Sequence, residues 1–197
     1  MNFQHINPLF YAARWVLIGC VTITAACGGN ENSSQQAGQP TAVKAKAPQV
    51  DIHTAVITDN GEALRQHIDA GTDIDARDPF GGSSPLITAA VFGKTDMARI
   101  LINAGADLDF QNNDGSTALI SAAFFGRPEI VRLLLDAGAD KSIKNKYGAT
   151  AYESVITPFN EAKGTYDMLG KALAPMGLKL DYTHLEKVRP EIANMLK

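Results

Sequence analysis

An all-α solenoid of about four stacked helix–turn–helix units is the fold this sequence predicts. Three observations predict it: a 33-residue self-similarity, apolar residues at helical spacing inside each period, and a glycine at the same place after each second helix.

The self-similarity is carried by several landmarks. Ala70-Gly71-Thr72-Asp73 recurs as Ala104-Gly105-Ala106-Asp107 and as Ala137-Gly138-Ala139-Asp140, at steps of 34 and 33 residues. Ser84-Pro85-Leu86 recurs as Thr117-Ala118-Leu119 and Thr150-Ala151-Tyr152, each 33 residues on. Ala89-Ala90 returns as Ala122-Ala123, and Phe92-Gly93 as Phe125-Gly126. The doubled Gly81-Gly82 accounts for the extra residue in the first step.

Each period reads physically as a hairpin finger followed by two antiparallel helices. In the third, Gly115 ends the finger and the Thr117 hydroxyl is placed to cap the first helix. Ala122 and Ala123 allow close helix approach, and Ile130, Val131, Leu133, Leu134 and Leu135 supply the buried face of the second helix. Gly138 stands where a left-handed stop is wanted. One such unit cannot cover its own apolar face, so neighbours must stack.

These units resemble ankyrin repeats. The family pattern Asp-x-x-Gly-x-Thr-Pro-Leu-His-x-Ala-Ala, then Val-x-x-Leu-Leu-x-x-Gly-Ala-Asp, is matched in pieces by four units at about 50–77, 78–111, 112–144 and 145–177. The first, opening at Asp51-Ile52-His53-Thr54-Ala55, is degenerate; the fourth keeps Tyr147-Gly148-Ala149-Thr150-Ala151-Tyr152 and then loses the pattern. The helix-start histidine survives as His53, with Ile87 and Ile120 in its place in the clear repeats. Residues 178–197 read as C-terminal capping helices. Thr183-x-x-Glu186 offers a capping box, and Pro190 is expected to start a second short helix. This end shields the open stack or serves a partner.

Ahead of the repeats the chain reads as an export signal. Arg14 precedes the uncharged run Trp15–Thr24, which ends in Ala25-Ala26-Cys27 and is too short to span a bilayer comfortably. That ending resembles a bacterial lipobox, with Thr24 where leucine is usual. Leu17-Ile18-Gly19-Cys20 has the same pattern but leaves almost no apolar segment before the cut. The resemblance implies a signal peptide over 1–26, a diacylglycerol anchor on Cys27 and a polar flexible tether over 27–49. Gly28 in place of aspartate implies the outer membrane, with the domain in the periplasm.

Composition and spacing weigh against chemistry. A net charge of −3 over 197 residues gives no basic field for nucleic acid. Cys20 and Cys27 are the sole cysteines, leaving none in the repeats for zinc. Asp73-x-Asp75-x-x-Asp78 and Asp107-x-Asp109 lack the closing glutamate of a calcium loop and suit finger turns. His53, His67 and His184 lie far apart in a linear stack. The chain is read as a non-enzyme with no cofactor, no metal and no small-molecule substrate, whose partner is another protein.

In the ankyrin family, partners contact finger tips and first helices. Carried over, those positions are Arg77, Pro79, Phe80, Val91 and Phe92; Asn113, Asp114, Phe124 and Phe125; and Lys146, Tyr147 and Phe159. The aromatics among them are interface anchors, although Phe92 and Phe125 equally suit packing between repeats. Replacing Phe80 and Phe124 together by alanine is expected to abolish capture at nearly unchanged melting temperature. The implied role is scaffolding or support of a periplasmic protein; the alternative is an immunity-type inhibitor of a toxic envelope-acting enzyme.

Overall fold

The computed structural model describes residues 46–197, which lie within one unit, Ala42–Lys197. The export signal, Cys27 and most of the tether lie outside the described residues. Among the described residues there are nine α-helices and no strand. They are α1 (Ile52–Ile57), α2 (Gly61–Asp69), α3 (Pro85–Phe92), α4 (Thr95–Asn103), α5 (Ala118–Phe124), α6 (Pro128–Asp136), α7 (Ala151–Ile156), α8 (Phe159–Leu173) and α9 (Tyr182–Leu196). A short 3₁₀ turn, Ala174–Met176, follows α8.

The helices form two rows. α1, α3, α5 and α7 pack side by side as an inner row, and α2, α4 and α6 form an outer row behind them. Side-chain caps start every inner helix. Asp51, Ser84, Thr117 and Thr150 each accept the backbone N–H three residues on, which satisfies a donor the helix cannot. The two central inner helices, α3 and α5, are almost wholly apolar and buried, with Leu86, Ala89, Ala90, Leu119, Ala122 and Ala123 sealed between neighbours. The outer helices bury one stripe each; in α6 this is Ile130, Val131 and Leu134, while Leu133 and Leu135 are only half-buried. Gly71, Gly105 and Gly138 take positive φ after the outer helices, as a left-handed stop requires.

The fingers between units are closed and cross-linked by the backbone. Asp78, Asn112 and Asn145 start the turns through their side chains. The Asn113 N–H donates to the Gly81 carbonyl, and the Lys146 N–H to the Asp114 carbonyl, each at 2.9 Å. The aspartates below the fingers are similarly occupied: Asp75 accepts from the Asp107 N–H and Asp109 from the Asp140 N–H of the following unit. They knit successive units together.

The C-terminal third departs from the expected pattern. α8 does not occupy the outer row. That place, against α6 and α7, is taken by α9. The reason lies in the two stripes. α9 buries Leu185, Val188, Ile192, Ala193 and Leu196 along one side, whereas α8 buries Tyr166 alone. α9 is also one helix and not two. Pro190 sits inside it, and the cap is Asp181, which accepts the His184 N–H, in place of the expected Thr183–Glu186 box. Pro190 and Glu186 both face solvent, so water can serve the carbonyl that proline leaves unbonded.

Candidate protein-binding cleft

α8 turns the open face of the solenoid into a cleft. The floor is the inner row, including Ile57 of α1, Val91 and Phe92 of α3, and Ile120 and Phe124 of α5. One wall is the finger row, from Asp78–Gly81 through Asn112 and Asp114 to Asn145 and Tyr147. The other wall is α8 with the turn behind it: Thr165, Met168, Leu169, Leu173 and Met176. The cleft volume is about 550 Å³.

The α8 wall is held by a small set of contacts. Tyr166 is fully buried, stacks on Phe124 with ring centroids 4.5 Å apart, and donates its hydroxyl to the Phe124 carbonyl at 2.7 Å. Arg189, buried in α9, donates to the same hydroxyl at 2.6 Å and to the Thr157 carbonyl. One arginine therefore fixes both the entry to α8 and its middle. Tyr182 donates to Asp167 at 2.7 Å. Burial pushes the Tyr166 phenol above its ordinary range, against the opposing pull of Arg189.

The mouth carries the exposed apolar surface. Phe80 is 85% exposed and Tyr147 79%, one at each end of the finger row. Met168 and Met176 face them from the α8 side, also exposed. Asp78 and Asp114 line the cleft, and no lysine or arginine does. Burial raises the Asp78 carboxyl, but the N–H groups of Gly81, Phe80 and Ser83 outweigh it and hold the carboxylate ionised.

The residues singled out from sequence divide into four groups. Phe80, Asp114 and Tyr147 stand at the mouth, and Phe92 lies half-buried on the floor. Arg77, Asn113 and Lys146 belong to the fingers: Arg77 donates to the Gly82 and Gln111 carbonyls and lies 4.4 Å over the Phe110 ring. Phe124 and Phe125 are packing residues. Phe125 is buried, and Phe124 lies under Tyr166, so the expectation that removing the Phe124 ring spares stability is corrected. Phe159 is a second aromatic of α8, its ring 5.7 Å from that of Tyr166.

Tyr166, Met168, Leu169 and Leu173 were not singled out. The signal was present: Tyr166, Leu169 and Leu173 recur at helical spacing between Pro158 and Pro175, where the repeat pattern is lost.

Each described histidine is tied into the framework. The Ala76 carbonyl accepts from His53 Nε2 at 2.9 Å while Thr88 Oγ1 bonds Nδ1. The Val50 carbonyl accepts from His67 Nε2, and the Gly126 carbonyl from His184 Nε2.

Residues 52–145 match the family model for ankyrin repeats (3 copies). Protein phosphatase 1 regulatory subunit 27 of Homo sapiens is 42% identical over 64 residues, covering 32% of this chain and 41% of that protein. Its Mus musculus counterpart matches to the same extent. The chain thus spans less than half the length of these curated relatives. The crystal structure of the ankyrin repeat domain of Bcl-3, a unique member of the IkappaB protein family, aligns at a TM-score of 0.51 and 38% identity. That alignment covers 52% of this chain and 45% of Bcl-3's. The described fold is an all-α ankyrin solenoid.

Proposed function

We propose that the chain is a non-catalytic binding module of the bacterial cell envelope, exported and held at the outer membrane by a lipid on Cys27, which scaffolds or supports a periplasmic protein. The observation that carries the binding role is the exposure of Phe80 and Tyr147 at the two ends of the finger wall of an apolar cleft. Rigid aromatics exposed beside a concavity anchor interfaces because they bring large contact area at little entropic cost. Similarity to a protein named as a regulatory subunit supports action through contact with another protein. The envelope setting is supported by the sequence up to Cys27.

Crosslinking in intact cells followed by mass spectrometry tests the role. A defined partner is expected from the natural chain. Replacing Phe80 and Tyr147 together by alanine should cut its yield by about tenfold or more, since anchor residues contribute about 2 kcal/mol each. Both rings are exposed, so stability should change by less than about 0.5 kcal/mol. Undiminished capture by the double variant would remove the cleft from the account. For the anchor, Cys27→Ser is expected to abolish labelling by radioactive palmitate; equal labelling would refute it.

A further inference from the structure

Resting on that binding role, we infer that the cleft between the finger row and α8 takes an extended peptide segment of the partner that carries alternating apolar side chains and basic residues. Three features of the lining converge on this occupant.

The first is shape. The cleft runs along the inner row from Ile57 in the first unit to Tyr147 in the fourth, with walls on both sides. Its volume of about 550 Å³ lies in the range of specific ligand sites, about 300–1,000 Å³. α8 narrows the face to a channel suited to an extended strand of chain.

The second is the distribution of polarity. Ile57, Val91, Phe92, Ile120, Leu169 and Leu173 give apolar contact from the floor and the α8 wall. The hydroxyl-bearing residues Ser83, Ser116, Ser121 and Thr165 are spread along the same channel. A peptide backbone brings N–H and C=O groups that must be paired when covered, and hydroxyls can both donate and accept. An acyl chain has no use for them. The methionines at the α8 edge add side chains that adapt to varied apolar partners.

The third is charge. The ionisable groups that line the channel are Asp78, Asp114, His53 and Tyr147. His53 has both ring nitrogens engaged, and Asp78 is held as a carboxylate. Tyr147 directs its hydroxyl at Asp114 across 3.5 Å. No lining cation could offset a carboxylate or phosphate on a ligand. Complementarity therefore favours lysine or arginine on the bound segment, beside Asp114 and Asp78.

Fluorescence anisotropy of the purified protein tests this with three fluorescein-labelled nine-residue peptides, alternating Leu/Lys, Leu/Glu and Ser/Lys. The Leu/Lys peptide is expected to bind at least tenfold more tightly than either other peptide. Thr165→Trp, which places an indole in the channel from an exposed position on α8, should weaken it at least tenfold with the melting temperature unchanged. Asp114→Lys should narrow or invert the Leu/Lys over Leu/Glu preference. Equal binding of Leu/Lys and Leu/Glu, or indifference to Thr165→Trp, would overturn the inference. So would tight binding of the neutral dye N-phenyl-1-naphthylamine that the Leu/Lys peptide cannot displace, which would mark a small apolar ligand. Should the peptides fail while capture in cells still depends on Phe80 and Tyr147, the peptide reading falls and the binding role stands. Loss of both would remove the two together.

Discussion

Tyr166 and Arg189 make the junction on which the cleft depends. Arg189 is buried without a carboxylate within 4.0 Å among the described residues, and its bonded acceptors are the Tyr166 hydroxyl and the Thr157 carbonyl. Removing the hydroxyl in Tyr166→Phe deletes a bond to the Phe124 carbonyl and strips a buried cation of one acceptor. A cost of about 1–3 kcal/mol is expected, read from urea unfolding. The same phenol gives a pH signature. Its acidity is weakened by burial in the folded state, so the folded chain holds that proton longer than the unfolded one. The stability this contributes is complete below about pH 10 and is lost as pH rises through the folded value. Thermal melts from pH 7 to 11 should show this fall, and Tyr166→Phe should reduce it. Some fall should persist, because Tyr182 is also shifted upward, chiefly by its hydrogen bond to Asp167. An identical pH profile in the variant would exclude Tyr166 as its source.

At the scale of elements, the docking of α9 against the solenoid turns on Gly126. This residue follows α5 at φ 64°, and a Cβ there would lie 2.7 Å from Leu185 Cδ2 and 3.1 Å from Val188 Cγ2. Gly126→Ala combines a left-handed backbone penalty of about 1–2 kcal/mol with a clash against the α9 stripe. A lower urea midpoint and easier proteolysis at the α8–α9 turn are expected. A midpoint equal to that of the natural protein would contradict the described docking. The elements also mark where sequence is informative. Fingers, caps and glycine stops of the first three units are local, each fixed by a few adjacent residues, and Thr117, Ile130 and Gly138 could be placed from their spacing alone. The fate of α8 and α9 is non-local. Both carry helical spacing, and which one lies in the outer row depends on the competition of their apolar stripes for α6 and α7. That competition is visible only once the partners' surfaces exist. Pro190 shows the same limit, because its position inside α9 is tolerated only where the freed carbonyl meets water.

At the scale of the molecule, a stack of repeats presents one continuous face, and a single added helix changes what that face can hold. The finger-tip residues Phe80, Asp114 and Tyr147 were legible as contact candidates from their place in the repeat. The covering of Phe124 was not, because it depends on Tyr166, forty-two residues later. What the repeats alone would offer as an open surface becomes a walled channel with an acidic, aromatic mouth. Contact is therefore expected to be directional: from the channel, and not from the outer row. Site-specific photo-crosslinking in intact cells measures this most directly, with a photoreactive residue placed in turn at Phe92 on the channel floor and at exposed Arg132 on the outer helix α6. A discrete protein adduct from position 92 and none from position 132 is the predicted result. Adducts from position 132 with none from position 92 would contradict the claim that this face is where the partner is held.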